Sequence, residues 1–215
     1  MKRFLSILLV LLLSFAFFTG CENNDPEKSA SQLISEANPK RELKDPEEKY
    51  GTHHAVMTVK NYGVIKLELY GDIAPITVKN FVELCKSGFY NGLTIHQILP
   101  EVMMQAGAPK DNEKGHNGTF ITGEFALNGY RNDIKHERGV ISMARQDSLD
   151  SASCQFFIVL EDSDRLNGKY AAFGKVTEGM DIIDKIAKEV KYEDEFIGSI
   201  AAADQPIIES IVITD

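Results

Sequence analysis

The 215-residue chain is 43% hydrophobic and has a formal net charge of −9; without its first twenty residues, which bring Lys2 and Arg3 and no acid, the charge is −11. No dense Lys/Arg stripe is present, so the clustered cations that neutralise phosphates are missing and nucleic acid is excluded as an electrostatically bound partner. Three cysteines, Cys21, Cys85 and Cys154, are too few for a disulfide framework.

The chain opens on an address. Lys2 and Arg3 precede Phe4–Phe18, an almost wholly apolar run of fifteen residues. That is short for a membrane-spanning helix, which needs about 20 residues, and it suits the apolar region of a signal peptide. The run ends in Phe18-Thr19-Gly20-Cys21. Small residues followed by Cys resemble a bacterial lipoprotein signal, although Phe18 stands where that pattern usually has Leu. The resemblance implies cleavage before Cys21, a diacylglycerol thioether on its sulfur, and a protein anchored to the outer face of the bacterial cell membrane. Two acyl chains suffice for stable anchoring. The plainer alternatives are an ordinary signal peptide or an uncleaved anchor, with Cys21 incidental.

Residues 21–50 follow, rich in Glu, Asp, Lys, Asn, Ser and Pro. Such a segment buries too little surface to offset its ordering entropy and reads as a flexible polar tether, with room for a helical turn around Ser31–Ala37. Residues 51–215 carry the folded domain. His53–Lys60 and Tyr62–Tyr70 are strand candidates around an Asn-Tyr-Gly turn, and Ile65, Leu67 and Leu69 alternate with Val64, Lys66 and Glu68. Pro75 opens a helix, where its missing N–H costs nothing. Val78, Phe81, Val82 and Cys85 form its apolar stripe, and Gly88 stops it. Short strands are expected at Thr94–Ile98, Met103–Ala106, Gly139–Met143, Phe156–Leu160 and Phe173–Val176. The stretch 109–123 lacks apolar periodicity and reads as a surface loop. A second helix over Met180–Lys188, with Met180, Ile183 and Ala187 on one face, precedes a closing strand at Ile207–Thr214. Many short strands with two helices predict a mainly β domain, a closed barrel capped at its ends.

Several of these segments together resemble the cyclophilin family. They are Asn80-Phe81-Val82-Glu83-Leu84 with Gly88-Phe89-Tyr90-Asn91-Gly92; Ile95-His96-Gln97-Ile98-Leu99-Pro100 with Met104-Gln105-Ala106-Gly107; Gly139-Val140-Ile141-Ser142-Met143-Ala144; Ser153-Cys154-Gln155-Phe156-Phe157-Ile158; and Phe173-Gly174-Lys175-Val176. They occur in the family's order and span about residues 53 to 213. The resemblance implies an eight-stranded antiparallel barrel with two capping helices, a proline pocket on the barrel's outer face, and peptidyl-prolyl cis-trans isomerase activity. It implies no cofactor and no metal. Proline-containing polypeptides would be the partners and a monomer the working state.

Isomerisation must lower a barrier of about 18–20 kcal/mol set by amide resonance. A donor aimed at the prolyl nitrogen favours the twisted amide over the planar one, which is differential stabilisation of the transition state. By resemblance, Gln97 occupies the place of the catalytic arginine, His96 orders the pocket beside it, and Gln105 contacts substrate and orients the arginine. Val102 stands where the family usually has Phe, Met103 and Phe157 line the proline cup, and Ala144 and Arg145 lie on the backbone edge that pairs with the peptide. Gln155, Leu166, Tyr170 and Phe173 complete the expected groove, with Tyr170 replacing a common His and Arg165 a common Trp.

Gln97 is the departure that matters most. A guanidinium is a permanent cation with a rigid fork of donors, whereas a Gln amide is neutral, and charge-assisted bonds are roughly twice as strong as neutral ones. Reduced activity is therefore expected, and Val102 points the same way by removing part of the aromatic wall. Arg145 and Arg165 are candidate replacement cations, more simply read as solvated surface charges. The function expected is isomerisation assisting the folding of exported proteins; the alternative is a non-catalytic module or chaperone that clamps proline segments at the cell surface. A solute-binding lipoprotein is disfavoured because the folded region is too short for two lobes.

Other residues read blandly. His53 and His54 are adjacent on a strand, point to opposite faces and cannot easily share a metal. His96 and His136 are not needed as an acid–base pair, because no proton is transferred. Cys85 and Cys154 read as buried thiols in preference to a pair, and Cys154 as strand rather than nucleophile. Asn117-Gly118-Thr119 is read as loop sequence rather than as a glycosylation acceptor.

Overall fold

The computed structural model describes residues 43–109 and 115–215. The signal segment, Cys21, the possible turn at Ser31–Ala37 and most of the expected tether lie outside the described residues. The last part of that tether does not stand apart from the domain: Lys44 pairs with Tyr130 in an isolated bridge, and Asp45 holds Arg131 Nε at 2.7 Å.

Ten strands and two helices make up the described domain. β1 (Thr52–Val59) and β2 (Gly63–Tyr70) form the first hairpin, turning through Asn61 at φ 66°, a left-handed conformation that Asn tolerates. α1 (Pro75–Lys86) follows, then β3 (Ile95–Leu99), β4 (Met103–Ala106), β5 (Val140–Met143), β6 (Phe156–Val159) and β7 (Ala172–Glu178). α2 (Met180–Glu189), β8 (Tyr192–Asp194), β9 (Ser199–Ile200) and β10 (Ile208–Ile213) complete the chain.

All ladders are antiparallel, in the order β10-β1-β2-β7-β5-β6-β4-β3-β9-β8. The expectation of a mainly β domain with two helices holds; among the described residues the strands number ten in place of the expected eight, β8 and β9 form a hairpin beyond β3, and no ladder joins the sheet's two ends. The approach of β10 to the chain just before β3 consists of one bridge, Thr94 with Ile207, and backbone bonds such as Ile208 N–H to Leu93 O at 2.8 Å and Ile95 N–H to Pro206 O at 2.9 Å. Pro206 has no N–H to donate, which limits pairing at this seam.

Strand alternation creates two apolar clusters. Ile98 lies opposite Met104, Met104 opposite Ile158, and Ile158 opposite Ile141. Directly opposed residues share a face, and these four are buried in the main core with Ile65, Leu67 and Leu69. α1 closes one side of that core through Val78, Phe81, Val82 and Cys85. α2 adds Ile183 and Ile186, with Met180 and Ala187 packed at the margin. Gly174 is required where β7 meets β2: a Cβ there would lie 2.3 Å from the Glu68 carbonyl oxygen. Cys85 and Cys154 are both free and buried.

Candidate active site

The other face of the same strands carries the second cluster. Gln97 lies opposite Gln105, Gln105 opposite Phe157, Phe157 opposite Ser142, and Ser142 opposite Ala172. One row across five strands thus runs from amides to an aromatic ring to small residues. Around Phe157 pack Val140, Val159 and Ala172, with Met103, Ala144, Leu166 and Tyr170 half-buried at the rim. Phe156 points the opposite way, into the main core, where its ring stands edge-on to Phe81 at 5.5 Å. Two consecutive phenylalanines thus serve two cores, as the period of two dictates.

Phe157 is fixed by its neighbours. Tyr170 meets it edge-on at 5.5 Å and 89°, and His136 stacks on it at 6.0 Å and 17°. The His136 imidazole is locked in one tautomer. Asn167 Oδ1 accepts the His136 backbone N–H at 2.7 Å and lies 3.2 Å from Nδ1, so Nδ1 carries the hydrogen. Nε2 then accepts from the Ser142 hydroxyl at 3.0 Å. Burial pushes the His136 pKa down to about 4 against the opposing effect of Asn167, so the ring is neutral at pH 7. Its place is packing beneath Phe157. Sequence reasoning had no signal for the roles of Ser142 and Asn167, because their function here is to hold a histidine 6 and 31 residues away.

A polar wall borders the cup. Gln105, 8% exposed, donates from Nε2 to Gln155 Oε1 at 2.8 Å, and Gln155 Nε2 donates to the Gly115 carbonyl. His96 joins this wall: burial lowers its pKa, while bonds to the Thr94 backbone and Gln155 act in the opposite direction. Ala144 N–H donates to Gln155 O at 2.9 Å. A shallow recess beside the cup is lined by Gln105, Ala144, Arg145, Ser151, Ser153 and Gln155.

The structure brings most of the expected residues together and separates three. Phe173 is not on this face: it is fully buried in the main core, 5.2 Å from the Phe81 ring, because Ala172 beside it takes the outward position. Val102 sits half-buried in the β3–β4 turn after Glu101, whose φ is 58°; Met103, not Val102, belongs to the cluster around Phe157. Arg165 is exposed on the short helical turn Asp164–Leu166.

Arg145 does not stand in for the missing cation. Its guanidinium lies between the Phe125 and Tyr170 rings, at 5.2 and 5.0 Å, and donates to the carbonyls of Lys169 and Gln146, each at 2.9 Å. It follows β5, which β6 and β4 separate from β3 and Gln97. Gln97 is itself engaged, donating from Nε2 to the Ile197 carbonyl at 2.8 Å. An amide nitrogen has two N–H donors, so one remains for a ligand.

This arrangement suits chemistry without proton transfer. It offers a rigid apolar cup for a small ring, a wall of neutral amides for peptide carbonyls, and a neutral buried imidazole. Comparison with known proteins agrees. The model for cyclophilin type peptidyl-prolyl cis-trans isomerase/CLD matches residues 54–214. A peptidyl-prolyl cis-trans isomerase of Acinetobacter baylyi is 42% identical over 132 residues, covering 59% of this chain and 68% of that protein. Peptidyl-prolyl cis-trans isomerase B of Escherichia coli is 34% identical over 163 residues, covering 72% of this chain and 96% of that protein. A cyclophilin type peptidyl-prolyl cis-trans isomerase of Cryptosporidium parvum, whose structure was solved in the presence of the dipeptide Ala-Pro, superposes with a TM-score of 0.65 at 28% identity, covering 75% of this chain and 99% of that one.

Proposed function

This chain belongs to the cyclophilin-type peptidyl-prolyl cis-trans isomerase family, and from that premise we propose that it accelerates X-Pro isomerisation in exported proteins, at reduced turnover, from a lipid anchor on Cys21 at the outer face of the bacterial membrane. The observation that carries the reading is the outward row Gln97–Gln105–Phe157, with the Phe157 ring clamped by Tyr170 and His136.

The proline ring packs on Phe157, Met103 and Leu166. The peptide on the side before the proline lies along Ala144 and the Gln155 wall. Gln97 directs its remaining amide N–H at the prolyl nitrogen. As the C–N bond twists, that nitrogen loses conjugation and becomes a better acceptor, so even a neutral donor stabilises the twisted state more than the planar one. Without a charge, and with one donor tied to Ile197 O, the stabilisation is smaller than a guanidinium supplies. The partners are proline-containing segments of unfolded or loop-rich chains.

The test is kcat/KM on a proline-containing tetrapeptide for the protein and its Gln97→Arg variant. Loss of a key donor elsewhere costs about 10²–10³ in rate, so a gain on the order of 10²-fold is expected. Activity in the unmodified protein equal to that of the arginine variant would contradict the reduced-turnover claim. Absence of activity in both, with peptides still bound, would establish the second reading, a non-catalytic clamp for proline segments, which Gln97 and Val102 favour.

A further inference from the structure

The β8–β9 hairpin lies beyond the groove, yet it is fastened to Gln97. Gln97 pairs with Ser199 in the ladder, its side chain donates to Ile197 O at 2.8 Å, and Ile98 N–H donates to Gly198 O at 2.8 Å. Gly198 has φ 69°, and a Cβ there would stand 2.2 Å from the Ile98 carbonyl oxygen, so glycine alone lets the two backbones meet. The tip is set by Asp194, whose Oδ1 accepts the N–H groups of Phe196 at 2.9 Å and Ile197 at 3.3 Å.

This rigid mounting leaves Phe196 in water. It is 92% exposed, and the next most exposed large hydrophobic among the described residues, Val212, is at 53%. An aromatic ring held away from both cores contributes nothing to folding through burial. Its chain neighbours Glu193, Asp194 and Glu195 are all exposed, and the whole protein is acidic at −9. An aromatic face attracts a cation through its quadrupole, and the surrounding carboxylates favour the same sign. Strand order puts the hairpin next to β3, with Ser199 of β9 directly opposite Gln97 at the end of the outward row.

We propose that the β8–β9 hairpin extends the substrate groove and that the Phe196 ring receives a Lys or Arg side chain flanking the proline of the bound polypeptide. The carboxylates set the preferred sign; the exposed ring and its attachment to Gln97 make the site. This rests on the isomerase reading of the groove and adds a substrate class to it: proline segments with a nearby basic residue.

The experiment is a peptide scan in which Lys, Glu or Ala is placed at each position within three residues of a single proline. kcat/KM is measured for the protein, Phe196→Ala and Phe196→Leu, with Kd replacing kcat/KM where turnover is too slow to follow. The expected result is a Lys-over-Ala ratio of about threefold at one or more positions, reversed for Glu, and a ratio near one in both variants. Full exposure of Phe196 means both variants fold. The proposal is overturned by the absence of a Lys preference at every position, or by a preference that survives in Phe196→Ala or Phe196→Leu. The all-Ala peptide reports separately on the groove: if the unmodified protein neither turns it over nor binds it, the isomerase reading fails, whatever the ratios show.

Discussion

Burial holds His136 at about pKa 4, and this ties the floor of the cup to pH. An unfolded chain returns the imidazole to its ordinary value of about 6.5. Between those values the unfolded state binds a proton that the folded state refuses, so stability is complete above 6.5 and falls as pH drops toward 4. A shift of this size corresponds to about 3 kcal/mol over the window. His96, also lowered, acts in the same direction. Glu124 acts oppositely: burial raises its pKa despite bonds to Thr77 and Ile76, so its ionisation lowers stability as pH rises. In urea titrations between pH 7 and pH 4.5, His136→Gln should therefore lose the part of the pH slope that His136 supplies, leaving the contributions of His96 and Glu124. An unchanged slope would show that His136 is charged in the folded protein. None of this is legible in the sequence, where His136 is one histidine beside a lysine; its neutrality comes from burial beneath Phe157, a residue of a distant strand, and outweighs the hydrogen bond to Asn167.

At the scale of elements, α1 depends on a residue far from it. Ala74 offers no side-chain cap. Glu124 supplies one from the loop before the short helical turn Ala126–Asn128, its carboxylate accepting Ile76 N–H at 3.1 Å, Thr77 N–H at 2.7 Å and the Thr77 hydroxyl at 2.7 Å. Glu124→Ala should cost about 1–2 kcal/mol, read as a lower urea midpoint at unchanged m-value, and Glu124→Gln less. A midpoint shift within error for Glu124→Ala would mean water caps the helix equally well. The helix itself was legible, because Pro75 and the Val78, Phe81, Val82, Cys85 stripe are local signals; its cap was not, because 47 residues separate Thr77 from Glu124. The long strands were legible for the same local reason, and Ile65, Leu67 and Leu69 are all buried as their alternation requires. β8 and β9, three and two residues long, are too short to show a period, and their link to Gln97 was invisible. Phe173 was misplaced because family resemblance does not say which face a neighbour takes, whereas strand pairing does.

The whole molecule puts two apolar clusters on opposite faces of one sheet, and the proposed recognition site is the smaller one. The inner face holds the large apolar core, while the outer face carries a small cluster centred on Phe157 and bordered by amides. Changes at the half-exposed rim of the outer face, Gln97 among them, leave the inner core untouched. On the proposal made above, the acidic charge of −9 and the acidic hairpin select basic, proline-containing clients. Catalysed rotation about X-Pro bonds in this groove, with Gln97 as the proposed donor, is measured by exchange spectroscopy on a proline peptide with catalytic amounts of the unmodified protein. Uncatalysed exchange takes tens to hundreds of seconds, so cis–trans cross-peaks at mixing times of about one second should appear with the protein and be absent without it. Binding shifts in the peptide without any exchange cross-peaks would contradict the account and leave a clamp in place of an enzyme.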